Sequence, residues 1–121
     1  MEAKAHVLIV DDEEDIGLML SRLLQKAGYH TEFCTSVAEG RIKLKQKKYD
    51  LYFLDLNLSD GSGFDLIPEI RQQPEVSGII IISAYDGLQE RERAKAFEVN
   101  AFVNKPFNKK EILEAVSQIR L

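Results

Sequence analysis

The amino-acid sequence predicts an α/β fold, a single parallel sheet covered by helices on both faces. Three observations carry that prediction. Short apolar runs alternate five times with segments of helical periodicity along the 121 residues, and such alternation with short connections implies parallel strands joined by right-handed crossovers. The runs Leu51–Leu56 and Ile79–Ile82 lack the polar alternation of a half-solvated strand, as strands buried on both faces do. Polar residues then end the runs, at the edge where open α/β sheets bind their ligands.

Taken in order, His6 to Val10 is an apolar, β-branched strand ending at Asp11-Asp12. Ile16, Met19, Leu20, Leu23, Leu24 and Ala27 recur at helical spacing, and Gly28 supplies the C-terminal stop. His30 to Cys34 is a second strand. Ser36-Val37-Ala38-Glu39 reads as a capping box opening a helix that runs to about Gln46, with Gly40 an internal cost of about 1 kcal/mol relative to alanine. Leu51 to Leu56 is the third strand, broken by one carboxylate, Asp55, and bounded by the Ser59-Asp60-Gly61-Ser62-Gly63 turn cluster.

A third helix is expected from Phe64 to Gln72, provided that Pro68 falls in its first turn. Gly78 to Ser83 is a fourth strand, and its isoleucines are core. Leu88 to Val99 predicts a charge-rich fourth helix, with Asn100 as a left-handed residue that stops it. Ala101 to Asn104 is the fifth strand. Asn108 caps a last helix whose Ile112, Leu113, Val116 and Ile119 form one stripe.

Composition bounds the function. The length fits one domain, residues 1–121, large enough to bury a core without staples. A net charge of −4, from 16 basic and 20 acidic residues, argues against a nucleic-acid face. One cysteine, Cys34, excludes an internal disulfide framework and fits a reducing, cytoplasmic setting. No apolar run approaches the ~18 residues of a membrane span. Cys34, His6 and His30 have no companion ligand at metal spacing.

The topology gathers Asp11, Asp12, Asp55, Ser83 and Lys105 at one edge. Carboxylates facing a common crevice repel unless a cation lies among them. Oxygen ligands without histidine or cysteine select a hard ion, and Mg²⁺ takes carboxylates, water and phosphate oxygens. A lysine and a hydroxyl beside such an ion offset and donate to a transferring phosphoryl group, and an ionised aspartate can be its nucleophile. The chemistry that fits is phosphoryl transfer onto Asp55. Acids at a helix N-terminus are favoured by the dipole alone, so the run Asp11 to Asp15 gains its meaning only beside Asp55 and Lys105.

At these residues the chain resembles the receiver domain of two-component response regulators. Val7-Leu8-Ile9-Val10-Asp11-Asp12-Glu13 is similar to that family's first strand and acidic pair. Asp50 to Leu56 is similar to its phospho-acceptor strand, Ile82-Ser83-Ala84 to its hydroxyl-bearing strand, and Asn104-Lys105-Pro106-Phe107 to its lysine-proline turn. The separations agree as well: 43 residues from Asp12 to Asp55, 28 from Asp55 to Ser83 and 50 from Asp55 to Lys105.

The resemblance implies a flavodoxin-like sheet of order 2-1-3-4-5. It also implies Mg²⁺ held by Asp12, Asp55 and the main-chain carbonyl of Asn57, with Asp11 acting through water. The implied donor is a phosphohistidine on a sensor histidine kinase or histidine phosphotransfer protein, and the implied bond before Pro106 is cis. Ser83 and Phe102 become the switch residues, although Phe102 reads equally well as core. Helix four, strand five and helix five, with the Glu90-Arg91-Glu92-Arg93 run, become the surface for partners or a second copy.

The chain departs from the family pattern at Ser59, where proline is common, and at Asn100, where glycine is common. Asn57 and Tyr85 flank the route of hydrolytic water, so replacing Tyr85 by a small residue is expected to change the dephosphorylation rate. Two other functions compete. A Mg²⁺-dependent phosphohydrolase with an aspartate nucleophile would use an acid two residues later, where Asn57 stands. An unphosphorylated interaction module would lack an acid or the lysine, and neither is missing.

Overall fold

The computed structural model describes residues 5–73, 77–84 and 87–119. Along them run β1 (His6–Val10), α1 (Glu14–Lys26), β2 (His30–Cys34), α2 (Val37–Gln46) and β3 (Leu51–Asp55). A 3-10 turn (Gly63–Leu66) leads into α3 (Ile67–Arg71), followed by β4 (Gly78–Ser83), α4 (Leu88–Ala96), β5 (Ala101–Asn104) and α5 (Lys109–Ser117). Every neighbouring pair of strands is parallel, in the order β2-β1-β3-β4-β5. This is the flavodoxin-like order expected from the motifs.

The period-two alternation of strand side chains sorts the core into two halves. Leu8, Val10, Tyr52, Leu54, Ile79 and Ile81 face one way, onto Val37 of α2, Phe64 and Leu66 of the 3-10 turn, Ile67 and Ile70 of α3 and Ala94 of α4. Val7, Ile9, Leu51, Phe53, Ile80 and Ile82 face the other, onto Leu20 and Leu24 of α1 and Ile112, Ala115 and Val116 of α5. All twelve of these strand residues have 0% exposure. Burying each such side chain contributes about 1.5–3 kcal/mol, so the middle of the sheet is the most over-determined part of the molecule.

Helix ends follow local chemistry, with three corrections. Gly28, at φ 100°, closes α1 as expected, with the Tyr29 amide reaching back to the Leu24 carbonyl. Pro68 falls in the first turn of α3, whose preceding turn is 3-10 rather than α. The fourth helix ends at Ala96, short of Val99, and its left-handed residue is Glu98 (φ 57°), not Asn100. The Glu98 and Val99 amides donate to the Lys95 and Ala94 carbonyls, which closes the helix three residues early. Asn100 instead leads into β5. Its amide donates to the Ile79 carbonyl and its Oδ1 accepts from the Ile79 amide, both at 2.8 Å.

At α2, Ser36 caps by accepting from the Glu39 amide, but Glu39 Oε1 accepts from the Thr35 amide rather than from the Ser36 amide. The predicted box is therefore offset by one residue on its return bond. The expectation for Tyr85 lies outside the described residues.

Candidate functional site

Register decides which strand ends meet. Val10 of β1 pairs with Leu54 of β3, so Asp11 and Asp55 emerge side by side. Asp55 pairs with Ile82 of β4, and Ser83 pairs with Asn104 of β5. Lys105 follows directly, its amide donating to the Ser83 carbonyl at 2.8 Å, and the Lys105–Pro106 peptide is cis. A pocket of about 230 Å³ opens at this edge, lined by Asp12, Glu13, Asp55, Asn57, Ala84 and Lys105.

Asp11, Asp12, Glu13 and Asp55 each offer a carboxylate oxygen within 4.8 Å of the others. Asp11 and Asp55 are buried, while Asp12 and Glu13 face solvent. Lys105 Nζ reaches Glu13 Oε1 at 2.8 Å, Asp11 Oδ2 at 2.9 Å and Asp55 Oδ2 at 3.3 Å. Asp55 Oδ1 accepts from the Asn57 amide at 3.2 Å, and Asp11 Oδ1 from the Glu13 amide at 2.9 Å. Because its carboxylate is committed to Lys105, Glu13 precedes α1 without capping it.

The electrostatics are unbalanced. Burial pushes the Asp55 carboxyl up to about 6, and the neighbouring Asp11 charge adds to the effect. The Asn57 amide and Lys105 only partly offset it. Burial works against the Lys105 ammonium too, but the Glu13 and Asp11 carboxylates outweigh it and hold the lysine above its ordinary range. One ammonium among several carboxylates leaves excess negative charge. Asp11 Oδ2 is buried and rests on the Lys105 ammonium alone, at 2.9 Å. A buried carboxylate oxygen in that condition is costly. An all-oxygen donor set whose buried oxygens share a single ammonium fits a hard divalent cation.

Of the residues singled out by sequence, Asp11, Asp12, Asp55 and Lys105 are brought together, and Asn57 borders the pocket. Ser83 ends β4 at 0% exposure, but the residue lining the pocket there is Ala84. Phe102 stands apart on β5, partly buried against the first half of the core, with the Arg91 guanidinium 4.7 Å over its ring. Glu13 is the acid to which the motif assigns no role. Its signal was membership of that run, since nothing in the sequence says which acid turns toward Lys105. Gly63 is a second contributor: a Cβ there would lie 2.5 Å from the Asp55 carbonyl oxygen, so the loop can pack against β3 only through glycine.

Comparison with known proteins agrees with this geometry. A family model described as the response regulator receiver domain matches residues 7–117. The chain is 36% identical to the sensory transduction protein LytT of Enterococcus faecalis, over 93% of this chain and 47% of that one. It spans about half the length of the curated relatives it matches. Response regulator TrrA of Thermotoga maritima, solved in complex with Mg(2+)-BeF, is 31% identical with a TM-score of 0.82, over 94% of this chain and 97% of that one. A response regulator from Burkholderia pseudomallei, solved with a phosphorylated aspartic acid, calcium ion and citrate, is 26% identical with a TM-score of 0.84, over 93% of this chain and 66% of that one. A match that runs from the first strand to the last helix, on a sheet of this order and with these acids at its edge, makes the chain a member of the response regulator receiver domain family of two-component signalling.

Proposed function

We propose that this receiver accepts a phosphoryl group on Asp55 from a phosphohistidine of a sensor histidine kinase or histidine phosphotransfer protein. It acts as a cytoplasmic switch rather than as a turnover enzyme, and residues 1–121 form one receiver unit. The observation that supports this reading best is Asp55 itself. It is a buried carboxylate at the carboxyl edge of a parallel sheet, approached by an ammonium on one oxygen and an amide on the other.

The balanced step is a transfer. An Asp55 oxygen bonds to phosphorus as the P–N bond of the donor breaks, and the imidazole leaves with that electron pair and takes up a proton. With its carboxyl at about 6, Asp55 is mostly ionised at pH 7 and ready as nucleophile. Lys105 already lies 3.3 Å from one Asp55 oxygen, and its ammonium offsets charge on the incoming group. Asp12, Asp55 and the main-chain carbonyl of Asn57, with Asp11 through water, would hold Mg²⁺, which would supply further positive charge for the phosphoryl oxygens. That TrrA was solved with Mg(2+)-BeF, and the Burkholderia protein with a phosphorylated aspartate and calcium, supports a divalent ion here.

Ser83 donates its hydroxyl to the bound phosphoryl group, and Phe102 responds on β5. The altered surface is α4-β5-α5, which serves partners or a homodimer. The acidic balance gives this domain no nucleic-acid face, and no helix among the described residues is long and apolar enough to cross a membrane.

Intact mass after incubation with Mg²⁺ and acetyl phosphate tests the proposal. A single hydroxylamine-labile phosphoryl adduct, absent from Asp55→Asn, is expected. No adduct from acetyl phosphate or from a panel of phosphorylated kinases would return the chain to the interaction-module reading.

A further inference from the structure

We propose that Asp60 is a positioning residue for the pocket: its carboxylate ties the tip of the loop after Asp55 to the first turn of α2, and so holds Asn57 at the site. The inference rests on the reading of Asp55, Asn57 and the neighbouring acids as a divalent-cation and phosphoryl site.

Asp60 Oδ1 accepts from the Val37 amide at 2.8 Å, and Oδ2 from the Ala38 amide at 3.1 Å. These amides open α2, where donors have no partner within the helix and an anion is favoured. Ser36 caps the same helix from within, its Oγ accepting from the Glu39 amide at 3.1 Å. The two caps therefore satisfy different donors and do different things. Ser36 serves the helix alone, whereas Asp60 joins it to a segment 22 and 23 residues away.

The segment so joined is stiff. The Leu58 amide donates to the Gly61 carbonyl at 3.0 Å, and the Gly61 amide returns to the Leu58 carbonyl at 3.4 Å. Leu58 is buried in the core. Beyond the turn, the Ser62 amide donates to Asp65 Oδ2 at 3.0 Å and the Phe64 amide to Ser62 Oγ at 3.2 Å. Gly63 rests against the Asp55 carbonyl. A turn closed on itself in this way moves as one body. Anchoring its tip at Asp60 fixes its other end, where Asn57 lines the pocket and its amide meets Asp55 Oδ1. Asp60 is not among the acids of the cluster or the residues lining the pocket.

The experiment compares Asp60→Ala, Asp60→Asn and Ser36→Ala with the wild-type chain by two readouts. The first is amide hydrogen exchange at Leu58 and Gly61 without metal, and the second is the Mg²⁺ dissociation constant by calorimetry. Asp60→Ala is expected to speed exchange at both amides and to raise the Mg²⁺ dissociation constant about threefold to tenfold, the scale of one lost helix cap expressed at the site. Asp60→Asn, which keeps one acceptor, is expected to fall between Asp60→Ala and wild type. Ser36→Ala, which weakens α2 without freeing the loop, is expected to leave both readouts at wild-type values. Equal effects of Asp60→Ala and Ser36→Ala, or no effect of Asp60→Ala, would overturn the tether. If the wild-type chain itself takes up no Mg²⁺, the underlying functional reading falls, and exchange at Leu58 and Gly61 still decides whether Asp60 holds the loop.

Discussion

Asp55→Asn is expected to stabilise the metal-free fold at pH 7.5 and to lose that advantage at pH 4. Burial and the Asp11 charge lift the Asp55 carboxyl from 3.8 to about 6. A carboxyl whose folded pKa lies above its unfolded one is protonated more readily in the fold, so stability falls as pH rises through that window. At 1.36 kcal/mol per pH unit, a rise of this size sets an upper limit of about 3 kcal/mol. Water in the adjoining pocket screens part of it, so about 1–2 kcal/mol is expected. Asparagine keeps the shape and an oxygen for the Asn57 amide, and Lys105 keeps its two shorter contacts, to Glu13 and Asp11. The measurement is urea unfolding followed by circular dichroism, in EDTA, at pH 4, 5, 6 and 7.5. The gap between variant and wild type should open between about pH 4 and pH 6 and stay level above. A variant no more stable at pH 7.5, or a gap of the same size at pH 4, would refute the claim that Asp55 is held ionised at a cost.

Mg²⁺ at ten times its dissociation constant is expected to stabilise the wild-type chain by about 1.4 kcal/mol, and Asp12→Ala should show no such rise in the same unfolding assay. Gly63→Ala should cost about 1–3 kcal/mol in urea unfolding, because the new methyl would meet the Asp55 carbonyl oxygen at 2.5 Å and the Leu54 Cβ at 2.8 Å. Burial raises the Cys34 thiol to about 11, so a thiol reagent at pH 8 should leave the native chain unlabelled and react only once urea unfolds it.

Most of the fold was legible because strand pattern and turn chemistry are local. Four strands end where expected and the third ends at Asp55, one residue short of Leu56, while Gly28, Ser36 and Asn108 cap or close the helices they were expected to. The reading failed where a local preference lost to a tertiary bond. Asn100 is a good left-handed residue by type, but its amide and side chain are both taken by Ile79, so Glu98 turns instead. The acids and the lysine of the site were legible because strand ends of a parallel sheet converge whatever their distance in sequence. Side-chain direction was not. Glu13, given no role by the motif, joins Asp11 and Asp55 in holding Lys105, and Ala84 rather than Ser83 lines the pocket. Asp60 could not be found by spacing, because its partners belong to a helix earlier in the chain and the bond exists only once both segments are in place.

What unites these observations is that the site is left unsatisfied at the centre of a fold with stability to spare. One ammonium is shared by three carboxylates, one buried oxygen of Asp11 has that ammonium as its single partner, and the Asp55 carboxyl is driven up to about 6. Each feature lowers the stability of the free state, and the wholly buried strand residues around it keep the arrangement from relaxing. A ligand can shift a conformational equilibrium only by the difference in its interaction with the two states. A pocket neutralised in advance would offer a cation or phosphoryl group little to relieve. Under the proposed function, the cost of leaving Asp55 charged in the free state is free energy that a bound cation recovers. Any substitution that stabilises the free form by satisfying Asp11 or Asp55 beforehand must diminish, by a similar amount, what the ligand contributes when it binds.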